Sequence, residues 1–128
     1  MKTPLMLLLT RDNGLEDLVA QALSKIGGVS HLTRDPGEAL EAVCGIQDLE
    51  VVLIDIDQEP HGITLLNTIK TSREDVPVIA ITRNDDEHLK ALAYANGAAA
   101  CFPKPISAVR LAVAICKLRR LRPELVAA

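Results

Sequence analysis

The chain is poor in aromatic residues: among its 128 residues there are one Tyr, one Phe and no Trp. A flavin mononucleotide protein needs aromatic side chains around the flavin ring and a Ser/Thr/Gly-rich phosphate loop. Residues 10–17 contain no such loop, so this class is disfavoured. No G-x-G-x-x-G motif follows the first apolar run, which argues against a dinucleotide-binding enzyme. No apolar run approaches the ~20 residues of a membrane-spanning helix.

Disulfides and metal-binding cysteine motifs are also missing. The cysteines, Cys44, Cys101 and Cys116, are odd in number and show no C-x-x-C spacing. They are therefore predicted to be reduced, buried thiols of a cytoplasmic protein. The apolar stretch after the N-terminus has only five residues, too few for a signal peptide. A net charge of -3 provides no bulk attraction to nucleic acid or membrane, and we expect neither as a partner.

What the chain does contain is a regular alternation of two hydrophobic patterns. Apolar runs typical of buried strands alternate with segments in which apolar residues recur at helical spacing. Short loops separate them, so the pattern predicts a parallel sheet with helices on both faces. The predicted strands are 5–9, 29–33, 51–56, 76–82 and 98–102, and helices follow them, the fourth opening at Asn84 and the fifth covering about 106–121.

Polar residues stand at the ends of three of these runs. Asp55 ends the third run, Thr82 ends the fourth, and Lys104 follows the fifth. The carboxyl ends of parallel strands share one edge of the sheet, where α/β folds form their ligand crevice. A carboxylate nucleophile, a hydroxyl donor and an ammonium group at that edge are suited to a phosphoryl group.

Short motifs surround these residues: VLID at 52–55, PVIAIT at 77–82, ANGA at 95–98 and KP at 104–105. Their order and spacing resemble the receiver domain of two-component response regulators, over residues 5 to about 121. The resemblance implies an α/β, flavodoxin-like doubly wound sheet of five parallel strands in the order 2-1-3-4-5 with five helices. It also implies one non-enzymatic signalling domain over residues 1–128. A histidine kinase or phosphotransfer protein would phosphorylate Asp55, with Thr82 and Lys104 binding the phosphoryl group.

The chain departs from this family where two acidic residues normally hold Mg²⁺. Thr10 and Arg11 occupy those positions, and a guanidinium repels a cation. We therefore expect Mg²⁺ binding to be weakened or lost. Asp12 and Asp57 are weaker candidates for replacement ligands. We also expect the Arg11 guanidinium to reach Asp55 and to supply part of the missing positive charge.

A second departure is Cys101, which stands where the resemblance implies an aromatic switch residue. The resemblance also implies a cis Lys104–Pro105 peptide. The segment from the fourth to the fifth helix is expected to present an apolar patch that binds a second copy or an effector protein. The segment includes Tyr94, Ala98, Ile106, Val109, Val113 and the basic end of the last helix. Ile106, Val109 and Val113 follow helical spacing, and core packing is expected to take some of them because the sheet also needs such a stripe.

Two functions stay open. In the first, the chain is a phosphoacceptor in a phosphorelay, which Asp55, Thr82 and Lys104 favour. In the second, it is a pseudo-receiver, a protein-binding module without metal-dependent phosphorylation. Thr10, Arg11 and the switch-position cysteine favour the second.

Overall fold

A computed structural model describes residues 5–57, 61–83 and 86–120, and it places a β-strand before every helix. The strands are β1 (Met6–Leu9), β2 (Ser30–Thr33), β3 (Val51–Asp55), β4 (Val78–Thr82) and β5 (Ala100–Pro103). The helices are α1 (Asn13–Ser24), α2 (Pro36–Gly45), α3 (Gly62–Ser72), α4 (Glu87–Ala95) and α5 (Ala108–Arg120).

All paired strands are parallel, and their order is β2-β1-β3-β4-β5. This is the predicted flavodoxin-like topology. Helices cover the central strands on both faces, which explains why those strands are continuous apolar runs. One core cluster packs α1 and α5 against the sheet, and the other packs α2, α3 and α4 against the opposite face. Successive residues of β3 alternate between the two clusters: Val51 and Leu53 join the first, Val52 and Ile54 the second.

The start of α4 depends on a side-chain cap that periodicity does not reveal. Helix α4 begins at Glu87 because the Asp86 carboxylate accepts a hydrogen bond from the Leu89 N–H at 2.8 Å. The expected opening at Asn84 lies outside the described residues; among the described ones, Asp86 is the N-cap and Glu87 the first helical residue. Helix α5 begins at Ala108, two residues after its expected start.

The prediction of three buried thiols is correct for only one of them. Cys101 is buried, Cys116 is partly buried and Cys44 is exposed. Helix α2 buries Ala39 and Val43, so the residue after Val43 is rotated away from the sheet. Within the described ranges, no helix has both the length and the apolar character needed to cross a membrane.

Candidate functional site

The carboxyl ends of β3, β4 and β5 bring Asp55, Thr82 and Lys104 to one edge of the sheet. Asp55 pairs in register with Ile81, and Thr82 pairs with Pro103. The Lys104 N–H donates to the Thr82 carbonyl at 2.9 Å, which ties the residue after β5 to the end of β4. The structure thus assembles the three residues that the sequence pattern placed together.

Asp55 is the most buried carboxylate of this edge, with a side chain that is 0% exposed. Its Oδ2 accepts hydrogen bonds from Thr10 Oγ1 at 2.8 Å and from Lys104 Nζ at 2.9 Å. Its Oδ1 is also buried, and it has no hydrogen-bond partner among the residues that the structure describes. A buried carboxylate oxygen without a partner is costly. One oxygen of Asp55 is thus held in place, while the other contacts no hydrogen-bond donor of the described residues.

Lys104 lies among three carboxylates. Its Nζ is 2.9 Å from Asp55, 3.1 Å from Asp12 and 3.6 Å from Asp57. Burial disfavours the ammonium ion, but hydrogen bonds to Asp55 and Asp12 outweigh it and raise the pKa of Lys104 above its ordinary value. The side chain therefore carries its charge throughout the physiological pH range.

Thr10 and Asp12 both contribute to the site, although they are not the two adjacent acidic residues that are typical of the family. The buried Thr10 hydroxyl donates to Asp55 and accepts from the Asp12 N–H at 3.0 Å. Asp12 caps α1, because its Oδ1 accepts from the N–H groups of Gly14 and Leu15. Its Oδ2 faces Lys104, and that hydrogen bond is the main reason why the pKa of Asp12 is lowered.

The guanidinium of Arg11 lies elsewhere. Its Nε donates to the backbone carbonyl of Arg34, just beyond β2, at 3.1 Å. The ammonium that contacts Asp55 is that of Lys104, so the expectation that Arg11 supplies this charge is corrected. The reason is the direction of the chain after β1, which turns residue 11 toward β2 while residues 10 and 12 face β3 and β5.

A second cation, Arg83, lies beside Asp57 and was not assigned a binding role from the sequence. Arg83 Nε is 3.0 Å from Asp57 Oδ1, and Arg83 Nη2 is 3.5 Å from Asp86 Oδ2. Asp57 thus stands between Arg83 and Lys104, with one oxygen toward each. The position of Arg83 directly after Thr82 at a strand end was the signal that could have indicated this contact.

The described residues do not assemble a divalent-cation site. In these ranges no group of three or more His, Cys, Asp or Glu side chains is arranged to hold a metal ion. The oxygens of Asp12 and Asp57 already face N–H groups or cations, and Asp55 Oδ1 is the carboxylate oxygen left unengaged. Mg²⁺ requires several oxygen ligands in near-octahedral geometry. The donor set therefore does not fit the ion that receiver domains generally bind.

Cys101, at the expected switch position, is held between the site and α4. Burial raises the pKa of its thiol, against an opposing hydrogen bond with Thr82. Its backbone N–H donates to the Tyr94 hydroxyl at 3.1 Å. The Lys104–Pro105 peptide is cis, as predicted.

The expected apolar patch is present in part. Tyr94, Val109 and Val113 are exposed, as expected. Ile106 is buried in the core, which agrees with the expectation that core packing takes part of this stripe, and Ala98 is buried as well. Leu92 joins the exposed group.

Comparisons with known proteins agree with this topology. No curated protein sequence matches the chain. The structure is similar to a CheY-like response regulator receiver domain protein from Methanospirillum hungatei JF-1. That match has a TM-score of 0.83 and 20% identity, and covers 96% of this chain and 98% of the other.

The receiver domain of NtrX from Brucella abortus is also similar, with a TM-score of 0.82 and 26% identity over 91% of this chain and 98% of the other. The family model of the response regulator receiver domain matches residues 10–116. Together with the strand order and the Asp55–Lys104 contact, this match shows that the chain belongs to the response regulator receiver domain family.

Proposed function

We propose that the chain accepts a phosphoryl group on Asp55 from the phosphohistidine of a histidine kinase or phosphotransfer protein. The observation that carries the proposal is the asymmetry of the Asp55 carboxylate. Oδ2 is held by Thr10 and Lys104, whereas Oδ1 has no hydrogen-bond partner among the described residues and retains its lone pairs for attack. Positioning of this kind is the main contribution that proteins make to phosphoryl transfer.

The transfer step follows from this geometry. Asp55 Oδ1 forms a bond to phosphorus while the P–N bond of the donor breaks. The electron pair of that bond goes to the imidazole nitrogen, which takes a proton from water. Lys104 stays beside the new acyl phosphate as a fixed positive charge, and Thr82 provides a hydroxyl donor at the same edge.

In this proposal, phosphoryl transfer to Asp55 depends only weakly on Mg²⁺. The residues that normally supply the acidic pair are Thr10 and Arg11, and Lys104 occupies the space between Asp12, Asp55 and Asp57. A divalent ion would have to displace the ammonium group or share three carboxylates with it. Transfer is therefore expected to be slow and nearly independent of Mg²⁺.

A cavity of about 190 Å³ beside Lys104 provides a place for the phosphodonor to dock. Its walls are mostly apolar, with Asp12 and Lys104 next to the candidate phosphorylation site. A donor helix with an apolar face would place its histidine near Asp55 from there. The lining residues are Asp12, Gly14, Leu15, Leu18, Lys104, Pro105 and Ile106.

The downstream surface is proposed to be the exposed apolar group on α4 and α5, which binds an effector protein or a second copy of the chain. Tyr94, Val109 and Val113 carry it. Sedimentation velocity over a wide concentration range tests the homodimer, with Val109→Lys expected to abolish association. A monomer at all concentrations would leave the effector as the partner.

The experiment that tests the main proposal is intact-protein mass spectrometry after incubation with acetyl phosphate or phosphoramidate, in EDTA and in Mg²⁺. We expect one phosphoryl group, removable by hydroxylamine as acyl phosphates are, and absent from Asp55→Asn. Failure of every donor, with the fold intact, would favour the pseudo-receiver. The complete burial of the Asp55 side chain is the observation that favours this second function.

A further inference from the structure

Asp57 and Arg83 form the outer part of the site, and the proposed transfer step does not use them. Asp57 Oδ1 is 3.0 Å from Arg83 Nε, and Asp57 Oδ2 is 3.6 Å from Lys104 Nζ. Asp55, Lys104, Asp57 and Arg83 therefore form a row of alternating charges. In this row the carboxylate of Asp57 occupies the space between the two cations.

The position of Arg83 links it to Asp55. It directly follows Thr82 at the end of β4, the strand that pairs with β3. The Ile56 N–H donates to the Ile81 carbonyl at 3.0 Å, which fixes the chain beyond Asp55 against the chain that leads to Arg83. Both the carboxylate and the guanidinium therefore emerge from the same end of adjacent strands.

The Arg83–Asp57 pair is suited to exchange. The Arg83 side chain is 70% exposed, and exposed ion pairs contribute little to stability. A phosphoryl group on Asp55 would bring roughly two negative charges and three acceptor oxygens to this position. A planar guanidinium binds such a group through two parallel hydrogen bonds, which an ammonium cannot do.

We propose that Arg83 is a phosphoryl-binding residue that leaves Asp57 when Asp55 is phosphorylated and binds the phosphoryl oxygens together with Lys104. The guanidinium thereby neutralises the charge of the phosphoryl group. The described residues assemble no metal site that would do so. The inference rests on the proposed phosphorylation of Asp55. Asp57 then acts as a competitor that holds both cations while the site is unmodified.

The two interpretations of Asp57 predict changes of opposite sign. If Asp57 competes for the cations, Asp57→Asn frees Arg83 and Lys104, and anion binding becomes stronger. If Asp57 is a metal ligand, the same change weakens binding in Mg²⁺ and has no effect in EDTA. The probe is beryllofluoride, which binds carboxylates as a mimic of the phosphoryl group. Its affinity is measured from amide shifts or calorimetry, in EDTA and in Mg²⁺.

We expect the unmodified protein to bind beryllofluoride in EDTA, with little change on adding Mg²⁺. Arg83→Met should weaken that binding by about tenfold or more, the effect expected for loss of a charge-assisted bidentate contact. Arg83→Lys should be intermediate, and Asp57→Asn should bind several-fold more tightly. Arg34→Met is the matched control, because Arg34 also forms an exposed ion pair, with Glu16 at 2.8 Å, and should bind normally.

The outcomes separate the two proposals. One outcome is that acetyl phosphate labels the protein while Arg83→Met binds beryllofluoride as tightly as the unmodified protein does. That result overturns the role of Arg83 and leaves the phosphorylation of Asp55 standing. Binding that requires Mg²⁺ and weakens in Asp57→Asn also overturns the role of Arg83 and assigns Asp57 to a metal. Absence of both labelling and beryllofluoride binding in the unmodified, folded protein overturns the phosphorylation of Asp55, and the role of Arg83 with it.

Discussion

Lys104 Nζ and Asp55 Oδ2 lie 2.9 Å apart although 49 residues separate them in the chain. The same ammonium group also contacts Asp12 and Asp57. One cation therefore contacts three carboxylates at the edge of the sheet. This arrangement couples the stability of the fold to the chemistry of the site.

Replacing Lys104 by Met should destabilise the protein by about 2 to 3 kcal/mol at neutral pH, because it leaves the buried Asp55 carboxylate without its cation. Because folding raises the pKa of Lys104, its own contribution is fully present at neutral pH. It is lost only as the pH rises through the folded value, above roughly 10.4. Urea unfolding measures this, with the exposed Lys25→Met as control; equal losses in the two variants would contradict it.

Asp12 should contribute both as a helix cap and as an ion-pair partner. Asp12→Ala is expected to lower the free energy of unfolding by about 1 kcal/mol, the usual cost of losing a cap. Asp12→Asn keeps a capping oxygen and should lose less. Folding lowers the pKa of Asp12, so its negative charge stabilises the folded protein above roughly pH 4. This stabilisation is lost as the pH falls through the pKa of Asp12 in the folded state. Unfolding at several pH values should show this slope in the unmodified protein and a shallower one in Asp12→Asn.

Two glycines provide a matched test of packing. A Cβ at Gly62 would lie 2.9 Å from the Cβ of Ile56, a contact that the backbone after β3 has to move to relieve. Gly62→Ala should therefore destabilise the protein by about 1 to 3 kcal/mol. A Cβ at Gly45 meets no atom within 4 Å, so Gly45→Ala should be neutral or stabilise by up to about 1 kcal/mol. Thermal melts of both variants check the difference, and a stable Gly62→Ala protein would argue against the tight contact.

The three thiols should react in order of exposure. Iodoacetamide should modify Cys44 first, Cys116 more slowly and Cys101 last. Burial both shields Cys101 and raises its thiol pKa, so little thiolate is available at neutral pH. Peptide mapping by mass spectrometry after timed alkylation gives the order, and denaturant should equalise the rates. Rapid modification of Cys101 in the folded protein would contradict its burial.

The sequence by itself determined the architecture and the three strand-end residues. Strands buried on both faces require continuous apolar runs, and parallel strands joined through helices place their carboxyl ends at one edge. Those two facts predict that Asp55, Thr82 and Lys104 lie at that edge. The family resemblance added the strand order and the cis peptide, and both are present.

Only the tertiary structure decided which charges meet at that edge. The backbone after β1 turns Thr10 and Asp12 toward Asp55 and Lys104, and turns Arg11 toward β2. The contact of Arg83 with Asp57 depends on how the ends of β3 and β4 lie side by side and on the direction of a long side chain. Loop paths and side-chain directions leave no hydrophobic period in a sequence, because they arise from contacts between residues that are distant in the chain.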